Sequence, residues 1–111
     1  MAQSSWENPY FQQITITATG GTLLADLRNA GKSRDEFTVQ AKGTGAAPTT
    51  LTAALEGSID GANWTSLQAI AQTDDGVLKF VAQKLVTMYR INVTALTLGG
   101  ASNVVFSVIA A

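Results

Sequence analysis

The sequence predicts an all-β protein, a single antiparallel β-sandwich with Greek-key or jelly-roll-like wiring and roughly seven or eight strands. Apolar and polar residues alternate over several short runs, which is typical of half-buried strands. Turn-forming residues recur about every ten residues between those runs. Threonine and serine fill the polar half of most runs, and the β-branched threonine favours extended backbone. A chain of 111 residues is long enough for one such domain.

The first half of the chain contains two clear strand patterns. Residues 12–19 alternate mainly isoleucine with threonine, and Gly20-Gly21 is expected to end that strand. Residues 36–42 alternate again, with three apolar side chains expected on the buried face. Between these strands, residues 22–30 fit either a helical turn or a strand that runs into a loop, and both remain open.

The second half contains a β-hairpin with a distinct turn. Residues 49–57 and 64–71 form its predicted strands, and Asp60-Gly61 lies between them. Glycine tolerates positive φ and the aspartate carboxylate bonds nearby backbone amides, so this pair suits a tight reversal. Residues 103–109 are apolar enough that we expect the last strand to be covered on both faces. Two further strand patterns cover residues 77–81 and 87–96.

The N-terminal segment is polar, has no strand or helix period and contains embedded aromatic residues. It fits a first strand that covers the core, or an arm that lies on a neighbouring subunit. We predict the arm, at residues 1–10, followed by a sandwich domain at residues 11–111. Arg90 lies on an otherwise apolar strand, either as a rim residue or as an interface ion-pair partner. The residues predicted to bind a partner are Trp6, Pro9, Tyr10, Phe11 and Arg90.

The composition argues against an enzyme. The chain has no His and no Cys, which removes the usual general base, the thiol nucleophile and the commonest metal ligands. Adjacent carboxylates such as Asp74 and Asp75 would point to opposite faces of a strand, and we interpret them as solvated turn residues. Asp60 and Asn63 offer oxygen ligands for calcium, but the full loop pattern is missing. We therefore expect no metal and no cofactor.

Charge and hydropathy restrict the partners. The net charge of −1 and the seven scattered Lys and Arg residues give no attraction to nucleic acid. No apolar run is long enough to span a membrane and the N-terminus lacks signal-peptide features, so the protein is expected to be made and kept in the cytoplasm or assembled from it. Trp64 could stack on a sugar ring or pack into the end of the core, and the scarcity of other aromatics favours the core. A small-molecule ligand is not expected.

Two stretches carry a family resemblance. Residues 55–67 read LEGSIDGANWTSL, and residues 88–100 read MYRINVTALTLGG before the final strand. Both resemble small β-sandwich proteins of tailed-bacteriophage virions, of the capsid decoration or cement type. The resemblance implies a non-enzymatic structural protein of the virion, assembled in the host cytoplasm. Its copies, often trimeric, would bridge major capsid subunits and so stabilise the shell.

Two other functions remain open at this point. The same sandwich could be a neck, tail or baseplate component, which joins subunits instead of covering a shell. The first stretch also resembles carbohydrate- or surface-binding sandwich modules. Such modules usually belong to longer chains with linkers, and a short chain that ends soon after its last predicted strand favours a particle subunit.

Overall fold

The protein is described by a computed structural model that covers residues 10–111, apart from the side chain of Gln83. Within this range the chain forms eight β-strands and two short 3₁₀ helices, Arg28–Ala30 and Gln72–Asp74. None of the helices in these residues is long and apolar enough to cross a membrane. The strands are β1 Tyr10–Ile16, β2 Gly20–Asp26, β3 Arg34–Gly43, β4 Thr50–Ser58, β5 Thr65–Ala71, β6 Lys79–Val86, β7 Met88–Thr97 and β8 Val104–Ala110.

The strands form two four-stranded sheets. The first sheet has the order β1-β8-β3-β6 and the second has the order β2-β7-β4-β5, with every neighbouring pair antiparallel. Each strand of the first half pairs with one of the second half: β1 with β8, β2 with β7, β3 with β6 and β4 with β5. This is one long antiparallel ribbon rolled into two layers, the wiring of a jelly roll. The predicted all-β class and antiparallel sheets are confirmed.

One apolar core lies between the two sheets. Its residues alternate along each strand, because successive side chains of a strand point to opposite faces. The rings of Phe37 in β3 and Tyr89 in β7 meet edge to face across the layers, with centroids 5.1 Å apart. The predicted buried face of β3 is confirmed, and β4 and β7 alternate in the same way. The fully buried large side chains include Phe37, Val39, Leu55, Tyr89, Ile91, Val93, Val104, Phe106 and Val108.

Tyr89 brings a polar group, its hydroxyl, into the apolar core between the sheets. It donates a hydrogen bond to the Gln12 side-chain oxygen in β1 at 3.0 Å, and the Gln12 amide donates to the carbonyl of Leu24 in β2. The side chain of Tyr89 is fully buried. Burial disfavours the phenolate and raises the pKa of Tyr89 to about 12. The bond therefore ties the two sheets together while the phenol stays neutral.

The first turn differs from the prediction. The strand expected at residues 12–19 ends at Ile16, and Gly20-Gly21 begins β2 instead of ending β1. Gly20 has φ of 137°, which a residue with a side chain adopts rarely, so glycine fits this entry into the strand. The ambiguous residues 22–30 divide between the end of β2 and a 3₁₀ helix.

The two ends of the described chain lie side by side in the first sheet. Tyr10, placed in the arm by the sequence, is the first residue of β1 and pairs with Ala110. The rest of the predicted arm, with Trp6 and Pro9, lies outside the described residues. The expectation that β8 is covered on both faces is wrong, because Ile109 is 44% exposed and Val105 is only half-buried.

Candidate interaction surfaces

The β4–β5 loop is organised around one carboxylate. Asp60 Oδ1 accepts hydrogen bonds from the backbone amides of Ala62 and Asn63, both at 2.8 Å, and Oδ2 accepts from the Asn63 side-chain amide at 2.7 Å. The Ser58 hydroxyl donates a further bond at 3.0 Å. These bonds, the Asn63 amide first, hold the pKa of Asp60 well below its usual value. Asp60 thus fixes the shape of the loop, in which Gly61 adopts φ of 79°.

The oxygen atoms of this loop were also considered as ligands for a metal ion. Among residues 10–111 there is no cluster of three or more His, Cys, Asp or Glu side chains with the spacing of a metal site. Asp74 and Asp75 have separate partners, since Asp74 contacts Lys79 and Asp75 contacts Lys42, both at 3.2 Å. Both residues lie at a turn as predicted, but they are not solvated, since their side chains are only 21% and 16% exposed.

Trp64 and Arg90 lie on the outer face of the second sheet. The Arg90 guanidinium carbon is 4.2 Å from the centroid of the Trp64 ring, so it covers one face of that ring. Arg90 Nε donates to Glu56 Oε1 at 2.7 Å, and the Asn92 amide donates to Glu56 Oε2 at 3.3 Å. Trp64 is half-buried outside the core cluster, and its indole nitrogen donates to the carbonyl of Gly61. The prediction that Trp64 packs into the end of the core is therefore wrong.

Arg90 makes its ion pair within its own chain. Arg90 was predicted to be either a rim residue or an ion-pair partner at an interface. In the structure it forms a salt bridge with Glu56 of its own chain, on the neighbouring strand β4. The Arg90 side chain is 28% exposed, and its partner carboxylate is less exposed. Glu56 and Trp64 together immobilise the guanidinium, which strengthens the second sheet. A contact of Arg90 with a partner protein stays a prediction.

The outer face of the first sheet carries a different surface, which we call the apolar row: Phe11, Ile109, Thr38 and Phe80. Phe11 pairs with Ile109, Ile109 with Thr38, and Thr38 with Phe80, so the row crosses all four strands. Directly opposed residues of antiparallel strands project from the same face. Phe11 is 57% exposed, Ile109 44% and Phe80 61%. The row therefore exposes three large apolar side chains to solvent on one face of the sheet.

The neighbouring positions on this face are polar, and Glu36, on the side of the row away from Gln40, carries a charge. The next row across the sheet is Gln13, Ser107 and Gln40, and the Gln13 amide donates to the Ser107 hydroxyl at 3.0 Å. The row beyond it ends in Lys42, whose ammonium group is held by Asp75. A face with few charges loses little hydration when another protein covers it.

The predicted partner-binding residues are not brought together. Phe11 is part of the apolar row on the first sheet, whereas Arg90 lies on the outer face of the second sheet, on the opposite side of the molecule. Tyr10 is 45% exposed, and the Arg34 guanidinium lies 5.9 Å from its ring centroid. Sequence reasoning missed Phe80 and Ile109. Both residues lie in apolar runs of the sequence, which marks them as strand residues. Only the strand register shows that they belong to one row on the surface of the sheet.

Two clefts lie along the sides of the sandwich. One, of about 350 Å³, follows the edges of β5 and β6 and is bordered by exposed Ile59 and Leu85. The other, of about 360 Å³, lies beside β1 and β2, and Tyr10 and Lys32 are among its lining residues. Both are wide open to solvent, so neither encloses a small ligand.

Comparisons with known proteins show the fold. No protein-family model matches the chain, and no curated protein matches its sequence. Among solved structures, the chain is similar to the crystal structure of the SPBc2 prophage-derived protein YomS, with a TM-score of 0.53 and 14% sequence identity. The similarity covers 93% of this chain and 95% of that chain. The two proteins therefore share an overall fold along nearly their whole length.

Proposed function

We propose that this protein is a non-enzymatic structural protein of a phage virion, and specifically a capsid decoration or cement protein that bridges major capsid subunits. The observation that supports this most directly is the apolar row. Covering the exposed fractions of Phe11, Ile109 and Phe80 contributes about 3 kcal/mol of hydrophobic free energy. A contact of this size is weak by itself, and it stabilises an assembly only where many copies are held together, as they are on a shell.

Three further facts support a particle protein. The chain shares its fold with a prophage-derived protein, and residues 55–67 and 88–100 resemble phage virion sandwiches. Only 14% of its residues are charged, which lowers the desolvation cost of burying its surface in an assembly. In this function the partners are the major capsid protein and further copies of the chain, and the site of action is the virion, assembled in the host cytoplasm.

The test is to find the protein in its particle. Phage particles from the source genome are purified on a density gradient, and the ratio of this chain to the major capsid protein is measured by quantitative mass spectrometry. A fixed ratio, with immunogold label over the shell, is the expected result. Label confined to the neck, tail or baseplate would replace the decoration role with that of a joining subunit. Absence of the chain from gradient-purified particles would refute the proposed function.

A further inference from the structure

We infer that the apolar row is the contact between two copies of this chain, packed face to face about a two-fold axis. The axis runs parallel to the strands, between β8 and β3, which are the two central strands of the first sheet. This inference rests on the proposed function, because it assumes that the chain belongs to an assembly. It adds that a second copy covers this face, and it identifies the residues of the two copies that contact each other.

The order of side chains in the row favours this symmetry. The row has an aromatic side chain at each edge of the sheet, Phe11 on β1 and Phe80 on β6, with the smaller Ile109 and Thr38 between them. The two-fold axis exchanges β1 with β6 and β8 with β3. Each Phe11 then lies on Phe80 of the second copy, and each Ile109 lies on Thr38. Aromatic pairs of this kind contribute about 1 kcal/mol beyond the area that they bury.

The flanking rows are compatible with the same axis. Ser107 of one copy faces Gln40 of the other, which pairs a hydroxyl with an amide. Val105 faces Lys42, so the aliphatic stem of the lysine covers an apolar side chain while its ammonium group stays at the rim with Asp75. On the other side of the apolar row, Glu36 pairs with Ala111 just after β8, so the same axis places Glu36 opposite Ala111 of the second copy. Among the positions of these rows, no charged side chain faces another of the same sign.

The area of the face matches a weak but specific pair. Four strands about 4.8 Å apart and seven residues of about 3.3 Å each give a face of roughly 19 by 23 Å. Two such faces bury on the order of 1,000 Å² together, which is the lower limit for a specific interface. Aligned packing of two sheets, with strands within about 30° of each other, is also a standard arrangement. We therefore expect self-association that depends on concentration.

The test uses crosslinking between introduced cysteines, which is clean because the chain has no cysteine of its own. Phe11→Cys and Phe80→Cys are made separately, checked by far-UV circular dichroism, mixed and treated with a short bis-methanethiosulfonate crosslinker, because facing sheets lie about 10 Å apart and a direct disulfide cannot span that distance. The mixture should form a covalent dimer. Each variant alone should not, because its own cysteine and that of its copy would be about 17 Å apart, three strand spacings along the sheet and one spacing between the sheets. Leu23→Cys, exposed on the second sheet, is the matched control and should leave the chain uncrosslinked with either variant.

The double variant Phe11→Cys/Phe80→Cys distinguishes a closed pair from an open chain. With the same crosslinker, a two-fold pair closes with two crosslinks and stops at the mass of a dimer, whereas a head-to-tail contact gives trimers and longer products. The inference is overturned by such a ladder, by equal crosslinking of Phe11→Cys alone, or by an uncrosslinked mixture. These experiments need no phage particles. A chain that is present in virions but does not crosslink would refute the pair alone, and a pair that is absent from virions would refute the proposed function alone.

Discussion

The buried phenol of Tyr89 allows a quantitative prediction about stability at high pH. Replacing Tyr89 by Phe removes the hydroxyl that bonds Gln12 across the layers and leaves the ring in place. At pH 7 this loss lowers the free energy of unfolding by about 1 kcal/mol, the usual net value of one hydrogen bond. The same change also removes a group that titrates differently in the folded and unfolded chain.

The sign of the pH effect follows from the raised pKa. The pKa of Tyr89 is about 12 in the folded protein, against roughly 10 in an unfolded chain. Below pH 10 both states hold the phenolic proton and the full stability is present. Between pH 10 and 12 the unfolded state loses that proton first, so stability falls by about 1.4 kcal/mol for each pH unit. The total loss through this one group is therefore about 3 kcal/mol.

Urea unfolding at a series of pH values from 7 to 11.5, followed by circular dichroism, measures this effect. The Tyr89→Phe variant should begin about 1 kcal/mol less stable at pH 7 and decline less steeply above pH 10, so that the two curves converge and then cross. Ser107→Ala, which removes an exposed hydrogen bond with Gln13 and no titratable group, is the control and should show the same pH dependence as the wild type. Parallel curves for the wild type and Tyr89→Phe across this range would refute the assignment of the alkaline loss to the buried phenol.

Three further predictions concern the core, the hairpin loop and one glycine. Phe106→Ala should lower the free energy of unfolding by about 3–5 kcal/mol in urea denaturation, because its fully buried ring leaves a cavity; a loss below 1 kcal/mol would contradict the core assignment. The pKa of Asp60 is lowered in the folded protein, so the stability that its carboxylate contributes is present above pH 4 and is lost on acidification. In thermal melts from pH 6 to 2, the melting temperature of Asp60→Asn should therefore fall less steeply than that of the wild type. Equal slopes would argue against this role. Gly43→Ala should destabilise by about 1–3 kcal/mol, since its Cβ would overlap the Ala46 carbonyl oxygen, whereas Gly100→Ala, with ordinary contacts, should have little effect in the same assay.

The buried layer could be predicted from the sequence because it depends on a local period. In β3 and β7 the alternation of apolar and polar residues identifies the inward face without knowledge of the neighbouring strands. The hairpin around Asp60-Gly61 is equally local, since its turn residues and both strands lie within about twenty residues. The position of Gly20-Gly21 was harder, because glycine pairs are as compatible with the start of a strand as with its end.

The outer surface could not be predicted, because it depends on which strands become neighbours. Ile109 lies in an apolar run that is equally consistent with a strand covered on both faces. Phe11 and Phe80 are far apart in sequence and meet in one row only through β8 and β3. Trp64 was misplaced for a related reason, since Arg90 covers its ring from another strand.

The position of β8 also determines the order in which the protein can fold. β8 is the last of the described strands, yet it lies between β1 and β3 and supplies backbone partners to both. During synthesis, β1 lacks this partner until the ribosome has made β8, and among the described strands β3 can until then pair with β6 alone. Folding of the first sheet therefore waits for β8 and is slow, because its pairings are far apart in sequence. Until then the apolar edge of β1 is open to aggregation, so overexpression at lower temperature should increase the soluble yield.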